Sequence, residues 1–419
     1  MRKKIQCLVS VLGLFTATAA CWLSIPAVAM AQPGDEGTAS TANNEPAVKE
    51  KNVDKWEDPE TTRIYVIPFR GEFGRDFSQT PMKRAMAEAK KEKPDIILLV
   101  FDASYTINGE TYDDYAQLQG QLSWDSIFRA AELATIFNED FRADKEFVNR
   151  KGEKPRIIGW VKKAMGPSAF LALAMNELYF ADGARVGGVG YLNFLFAGRG
   201  DEVVREKQRS LRLGKFEGLV SAAGYPTRIA RAMSRSDGML SYSMRGGKPV
   251  FFEDLTGDTI LMDGGDPERR DTMEDLVRLR GNDVLTLTST VARDLGISRA
   301  TVNSEDELVS TLGIERGYAV RGEKALKILS QWSREISSAE NRVVRNIREF
   351  QRIQINGRTP AERNAQRGRQ LGILNNVKRD LEKYEEAISP ENIQGAPKQI
   401  TSEINVIIER IKTEMRLDK

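Results

Sequence analysis

Residues Lys162–Gly190 read KKAMGPSAFLALAMNELYFADGARVGGVG, and this stretch decides the fold. A small-residue turn around Gly166 enters an alanine-rich segment that predicts a helix from Ser168 to Leu178. A short strand at 179–180 and a glycine-rich turn follow. Such a turn places backbone N–H groups and one hydroxyl at a helix N-terminus, where an oxyanion or a nucleophile is stabilised. The stretch therefore predicts a strand–helix–strand unit with a candidate catalytic turn.

Apolar runs alternate with helical segments on both sides of this unit. Asp95–Asp102 is a continuous apolar strand of the kind that parallel sheets bury on both faces. The same reasoning predicts strands at 63–68 and 156–161 and helices at 80–91 and 123–141. This alternation is typical of an α/β domain with a mainly parallel sheet and flanking helices. We assign residues 62–320 to that domain.

Two regions of different character flank the domain. Residues 32–61 are rich in Gly, Pro, Thr, Asn and charge, which predicts a disordered tether. Residues 321–419 carry an apolar seam on an alternating four–three spacing from Ala325 to Phe350, and two further apolar stripes, which predict an α-helical coiled-coil arm. This arm has 20 basic and 14 acidic residues. Short helices with strong seams need a partner surface, so we expect the arm to pack either on its own chain or on another.

The N-terminus has the features of an export signal. Arg2-Lys3-Lys4 are followed by a charge-free apolar run, and residues 29–31 fit the small-x-small cleavage rule. We therefore expect residues 1–31 to be a signal peptide, and the protein to be periplasmic or otherwise extracytoplasmic. The same run is long enough to span a bilayer as a retained anchor. The residues before Cys21 also faintly resemble a lipoprotein box.

The composition excludes several kinds of chemistry. The 419 residues include no histidine, and the two cysteines, Cys7 and Cys21, lie in the expected signal peptide. Histidine triads, thiol nucleophiles and Cys/His zinc sites are therefore excluded from the mature chain, and we predict no cofactor and no metal. Lys+Arg 62 against Asp+Glu 60 gives a net charge of +2, so we expect no nucleic-acid partner. Acid–base chemistry would have to use Asp, Glu, Lys or Tyr.

The segment Ala172–Gly187, ALAMNELYFADGARVG, carries a resemblance to a known family. It resembles, nearly position by position, a segment of the ClpP/crotonase-fold serine peptidases of the NfeD and signal peptide peptidase A type. The strands at 64–69 and 96–102 and the segments 284–297 and 308–313 are similar to other parts of the family in the same order. The likeness covers most of residues 62–314. It implies a ClpP/crotonase-like fold and a membrane-associated peptidase with a Ser–Lys dyad, which needs no histidine.

The resemblance also implies particular site residues. Ser168 would be the nucleophile and Lys207, which has the family's spacing to Gly224, would be the general base, with Lys215 as the second candidate. A lysine that is partly desolvated beside a serine has a lowered pKa and can accept the hydroxyl proton. The turn and oxyanion positions that the resemblance assigns are Gly166, Ala169, Tyr105 and Thr106.

Two positions depart from the family pattern. The family's nucleophile position falls on Gly166 or Pro167, so Ser168 stands one or two residues late, and the ordinary alternative is a helix-entry residue whose hydroxyl bonds the backbone. The family's Asp-x-Pro-Gly-Gly run is replaced by DASYT at 102–106, without a glycine before Gly109. Loss of one oxyanion donor lowers a rate by about 10²–10³.

The sequence therefore supports two functions from different classes. The first is an exported Ser–Lys endopeptidase whose partners are membrane-derived or hydrophobic peptides, or membrane proteins. The second is a catalytically inactive ClpP-fold scaffold that recruits a partner protein through its C-terminal helices. We expect a homo-oligomer in either case.

Overall fold

The computed structural model describes residues 55–103, 105–107, 110–112, 121–189, 200–265, 268, 283–314 and 317–418. The expected signal peptide and most of the expected tether lie outside these residues. The last tether residues, however, pack on the body. Trp56 is only 1% exposed, and Arg63 donates a hydrogen bond from Nε to its carbonyl oxygen over 2.7 Å. The folded body therefore begins near residue 55, because the indole of Trp56 is part of its core.

A seven-stranded sheet forms the centre of the body. Its strands are β1 Thr62–Arg70, β2 Ile96–Ala103, β5 Arg156–Met165, β6 Leu178–Gly187, β10 Leu287–Thr288, β11 Ser298–Thr301 and β12 Tyr318–Arg321. The order is β10-β6-β5-β2-β1-β12, and β11 also pairs with β6. Strand β10 runs antiparallel to β6, and the other pairings are parallel. The structure thus confirms a mixed α/β body with a mostly parallel sheet.

Both faces of this sheet are buried, as the apolar run of β2 predicts. Ile97, Leu99 and Phe101 point into the larger of two apolar clusters, and Leu98 and Val100 point into the smaller cluster on the other face. Successive side chains of a strand alternate between the two faces of the sheet, so a strand without polar residues must be covered on both faces. Helices provide much of this cover.

The helices of the body are α1 Gln79–Glu92, α2 Gln121–Thr135, α3 Phe141–Ala143, α4 Pro167–Ala172, α5 Glu202–Ala222, α6 Arg228–Ser234, α7 Ser289–Asp294 and α8 Glu305–Thr311, with a π-helical turn, Ile136–Asp140, between α2 and α3. Helix α4 is shorter than the segment we predicted, and β6 is longer. The N–H groups of Ala174 and Met175 bond carbonyls three residues back, which tightens the chain and ends the helix early. Strand β6 continues to Gly187, but its register to β5 jumps from Phe180 to Arg185, so residues 181–184 bulge out of the pairing around Gly183, which has φ 68°.

Two small sheets complete the body. Strands β3 Tyr105–Ile107 and β4 Glu110–Tyr112 pair antiparallel directly after β2. Strands β7 Met239–Arg245, β8 Lys248–Phe252 and β9 Thr259–Asp263 form an antiparallel sheet in the order β8-β7-β9.

The C-terminal region is helical, as the apolar stripes predict. Its helices are α9 Glu323–Arg352, α10 Pro360–Lys383, α11 Pro390–Ile393 and α12 Pro397–Leu417, here called the arm. Arg342 of α9 is paired with Asp380, and Arg363 of α10 with Asp418, so α10 runs antiparallel to both long neighbours. Apolar side chains of α9, α10 and α12 share one core cluster. None of the helices within the described residues is long and apolar enough to cross a membrane.

The arm packs on its own body. Ala325 and Leu329, the first seam residues of α9, belong to the core of the body. The indole Nε1 of Trp332 then donates to the carbonyl of Arg75 over 2.9 Å, and the guanidinium of Arg75 lies 3.1 Å from the carboxylate of Glu340. The apolar seam that we predicted for a coiled coil is therefore the buried face of α9, divided between the body and the arm.

Candidate functional site

A sharp turn joins β5 to α4 at the carboxyl edge of the sheet. Gly166 has φ 62° and ψ −134° there, a combination that side chains disfavour and glycine tolerates. Its N–H donates to the carbonyl of Gly187 over 2.8 Å, which ties the turn to the end of β6. The backbone thus has a strained strand-to-helix turn of the kind that presents nucleophiles in hydrolases. The residue at the strained position has no side chain.

Ser168, the predicted nucleophile, lies in the core. Its side chain is 0% exposed, and its hydroxyl donates to the carbonyl of Met165 over 2.7 Å. This is the local hydrogen bond of a helix-entry serine, which satisfies a backbone acceptor. A nucleophile must reach a substrate carbonyl at about 3 Å, and this hydroxyl faces the protein interior.

Ala169 and the chain at 105–106 occupy the predicted oxyanion positions. The N–H of Ala169 donates to the carbonyl of Gly166 over 3.0 Å, so the turn itself uses this donor. Tyr105 and Thr106 belong to β3, where they pair with Tyr112 and Thr111 of β4. Two short antiparallel strands therefore occupy the place of the oxyanion loop that the resemblance implies.

The β3–β4 pair and the turn nevertheless leave the sheet side by side. Ala103, the last residue of β2, is in register with Ala164, which lies two residues before Gly166. The structure thus brings the two predicted elements to one edge, as expected for consecutive strands of a parallel sheet. Among the described residues, no contact directs the backbone N–H groups of the β3–β4 pair and of the turn toward one open position.

Lys207, the predicted base, lies on the far side of α5 from Ser168. Phe216 of the same helix packs on Phe170 of α4 with ring centroids 4.8 Å apart, so the Phe216 face is the one that looks toward α4. Nine residues separate Lys207 from Phe216, which is about two and a half turns and about 13 Å along the axis. Lys207 is exposed on the opposite face, and Lys215 is exposed as well. The structure does not bring either lysine to Ser168.

A row of charged side chains, which the sequence reasoning missed, lies at the same edge of the sheet. Arg70, Asp102 and Lys163 occupy neighbouring register positions near the ends of β1, β2 and β5. The Nε of Arg70 lies 3.6 Å from a carboxylate oxygen of Asp102, and both side chains are well exposed. Ligands of open α/β sheets bind outside the carboxyl ends of the strands. The sequence signal was available, since Arg70 and Asp102 each close an apolar run and Lys163 is the second lysine after the apolar run of β5.

Tyr225 is the buried phenol nearest in sequence to α5. Its hydroxyl donates to the carbonyl of Met175 over 2.9 Å, and burial raises its pKa well above the ordinary value for tyrosine. The phenol therefore keeps its proton at neutral pH and cannot act as a base there.

A small cleft lies elsewhere, between the body and the arm. The N–H of Thr80, at the start of α1, donates to the carboxylate of Glu386 from the arm over 3.2 Å. The hydroxyl of Ser78, 5% exposed, has no hydrogen-bond partner among the residues that the structure describes. The cleft is lined by Gly74, Ser78, Gln79, Arg129, Glu132, Leu133 and Glu386. None of the predicted catalytic residues is among them.

The chain was also compared with known proteins. Neither the protein-family models, nor the curated proteins, nor the solved structures give a significant match to it. The geometry of the turn therefore carries the functional argument.

Proposed function

We propose that this protein is a catalytically silent scaffold with a ClpP/crotonase-like body, exported from the cytoplasm, which self-associates and recruits partners. The observation that carries the proposal is the turn after β5. Gly166 occupies the strained position where a nucleophile would stand, and the hydroxyl of Ser168 is bonded to Met165 inside the core. The fold part of the proposal is supported by a mostly parallel sheet that contains a strand–helix–strand unit, β5–α4–β6.

The rival function is the Ser–Lys endopeptidase that acts on hydrophobic or membrane-derived peptides. It would require Ser168 to leave the core and a lysine to approach from the α4 side of α5. Lys207 lies on the opposite face of that helix, and Lys162 is held over the ring of Trp160 at 4.3 Å. The silent scaffold needs no such rearrangement.

The exposed face of α5 is the surface that we assign to self-association with a second copy. Val203, Val204 and Leu211 are 60%, 55% and 54% exposed, which is unusual for aliphatic side chains on a helix. Gly214 and Gly218 continue this face, and a Cβ at either would meet no atom within 4 Å. An identical helix can approach closely over glycines, so the face is self-complementary in the manner of a two-fold interface.

Labelling with a fluorophosphonate probe tests the catalytic part. We expect no labelling of the wild-type chain above the level of Ser168→Ala. Ser234→Ala is the matched control, because Ser234 is also 0% exposed and its hydroxyl also bonds a carbonyl, that of Ala230, over 2.7 Å. If the wild-type chain is labelled, and the label is lost in Ser168→Ala but kept in Ser234→Ala, the protein is the peptidase instead.

Light scattering after size-exclusion chromatography tests the self-association. Leu211→Glu places a charge on the α5 face, and we expect it to lower the mass of the assembly to that of one chain. Leu326→Glu is the control, since Leu326 is 47% exposed on the arm and lies outside this face. Equal masses for wild type and Leu211→Glu would remove α5 from the interface.

A further inference from the structure

The excess positive charge of the arm is confined to the half that points away from the body. Contacts with the body come from Trp332, Glu340 and Glu386. Arg342 pairs with Asp380 and Lys378 bonds Asn405, so residues 341–381 and 405–418 form the distal half. This half has 13 Lys+Arg and 6 Asp+Glu, whereas residues 321–340 and 382–404 have 6 and 8. The distal half is thus +7 and the proximal half −2.

The cations of the distal half are of one kind. Eleven of its 13 basic residues are arginine, against two of the six in the proximal half. The planar guanidinium binds phosphate with two parallel hydrogen bonds and is more weakly hydrated than an ammonium group. The composition of the distal half therefore favours a partner that bears phosphate groups over a polyanion of any other kind.

Several of these arginines are free to bind. Asp418 accepts from Arg363 over 2.6 Å and from Arg367, and the carboxylate of Glu362 closes the capping box of α10. Five further arginines have exposed guanidinium groups that form no ion pair within the described part of the chain: Arg345, Arg348, Arg352, Arg358 and Arg369.

Three of these free arginines lie near the far end of the arm. Arg352 is the last residue of α9, and Arg358 follows in the connection to α10. Gln370, next to Arg369, donates to the carbonyl of Ile353 over 3.2 Å, which places Arg369, in the middle of α10, beside the end of α9. Arg345 and Arg348 lie further back on the face of α9 that carries Arg352.

Exposed aliphatic side chains accompany the charge. Leu417 is 81% exposed and precedes Asp418, which binds the α10 arginines at the same end. Val406 is 71% exposed, and it lies with Arg410 and Leu417 on one face of α12, since the three are separated by four and seven residues. A nucleic-acid duplex offers these side chains no apolar phase, whereas the interface of a bilayer does.

We propose that the distal end of the arm binds the surface of an anionic lipid bilayer, with the free arginines on lipid phosphates and Leu417 at the acyl boundary. This inference goes beyond the scaffold function and does not depend on whether Ser168 is reactive. The surface potential of an anionic leaflet attracts each nearby arginine, and three neutralised arginines lower vesicle affinity by about 100-fold.

Vesicle co-sedimentation tests the proposal with residues 32–419, which contain the whole compact unit Lys55–Lys419 and lack the apolar N-terminal segment. We expect binding to vesicles of phosphatidylglycerol and phosphatidylcholine, weaker binding at 0.5 M salt, and little binding to phosphatidylcholine alone. Replacing Arg352, Arg358 and Arg369 by Gln should remove about 100-fold of the affinity. The matched control replaces Lys327, Arg334 and Lys383, which are exposed in the proximal half, and should bind as wild type.

A DNA duplex of 24 base pairs and the variant Leu417→Ser separate lipid from nucleic acid. We expect the duplex to compete weakly and Leu417→Ser to weaken vesicle binding several-fold, with helical content unchanged by circular dichroism. Equal binding to neutral and anionic vesicles, equal losses in the two triple variants, or tighter binding of the duplex than of the vesicles would each overturn the proposal.

Discussion

Replacing Glu340 by Ala should weaken the docking of the arm on the body. Glu340 is 5% exposed, and its carboxylate accepts hydrogen bonds from the guanidinium of Arg75 over 3.1 Å, the N–H of Ser389 over 3.0 Å and the amide of Asn392 over 2.9 Å. The Arg75 side chain is itself only 20% exposed. The substitution therefore leaves a largely buried cation without this partner and takes an acceptor from two further donors.

The expected cost follows from these contacts. Breaking a buried ion pair by removing one partner costs about 3–5 kcal/mol, and we take the lower end because Arg75 keeps some contact with water. A loss of about 3 kcal/mol lowers the population ratio of the docked to the open arm by more than 100-fold. Glu340→Gln keeps one acceptor oxygen and should lose less.

Hydrogen exchange is the appropriate assay, because the arm can open without unfolding the body. We expect amides of α9 and α10 in Glu340→Ala to exchange about 100-fold faster than in wild type, while β1 and β2 keep their protection. Glu349→Ala is the control, since Glu349 is an exposed residue of the same helix. If Glu340→Ala exchanged no faster than Glu349→Ala, the reasoning about the buried pair would be refuted.

Two other predictions concern the far end of the arm and the turn. Hydrogen bonds from Arg363 and Arg367 lower the pKa of Asp418 well below the ordinary 3.8. The stability that Asp418 contributes is therefore present above that value and is lost as the pH falls through the folded-state pKa. Circular dichroism between pH 5 and pH 2 should show less loss of stability in Asp418→Asn than in wild type, and equal losses would contradict this. Gly166→Ala should destabilise by about 1–3 kcal/mol in urea titrations because of its positive φ, whereas Gly372→Ala, in open space on α10, should stabilise by up to about 1 kcal/mol; the reverse order would rule out the strained turn.

The sheet could be predicted from the sequence because its signals are local. The run from Ile96 to Phe101 contains only apolar residues, and a strand of that kind must be buried on both faces. The breaks in the C-terminal region were equally local, since Pro360, Pro390 and Pro397 each stand at the first position of a helix. Boundaries that depend on tertiary pairing were less accurate, as the length of β6 beside β5 shows.

The site could be predicted only in part, because its ability to react depends on the direction in which its side chains point. The sequence places a turn at Gly166 and a serine two residues later, but it cannot say that the Ser168 hydroxyl points inward to Met165. It likewise shows an apolar seam on α9 without showing which surface covers it. The bond from Trp332 to Arg75 spans 257 residues, and no local pattern encodes such a contact.

Peptide mass spectrometry of the fluorophosphonate-treated chain decides between the silent scaffold and the peptidase. We expect the peptide that contains Ser168 to stay unmodified, like the peptide that contains Ser234, because both hydroxyls are buried and bonded to carbonyls. Stoichiometric modification of Ser168, with Ser234 unmodified, would show that the protein is the peptidase.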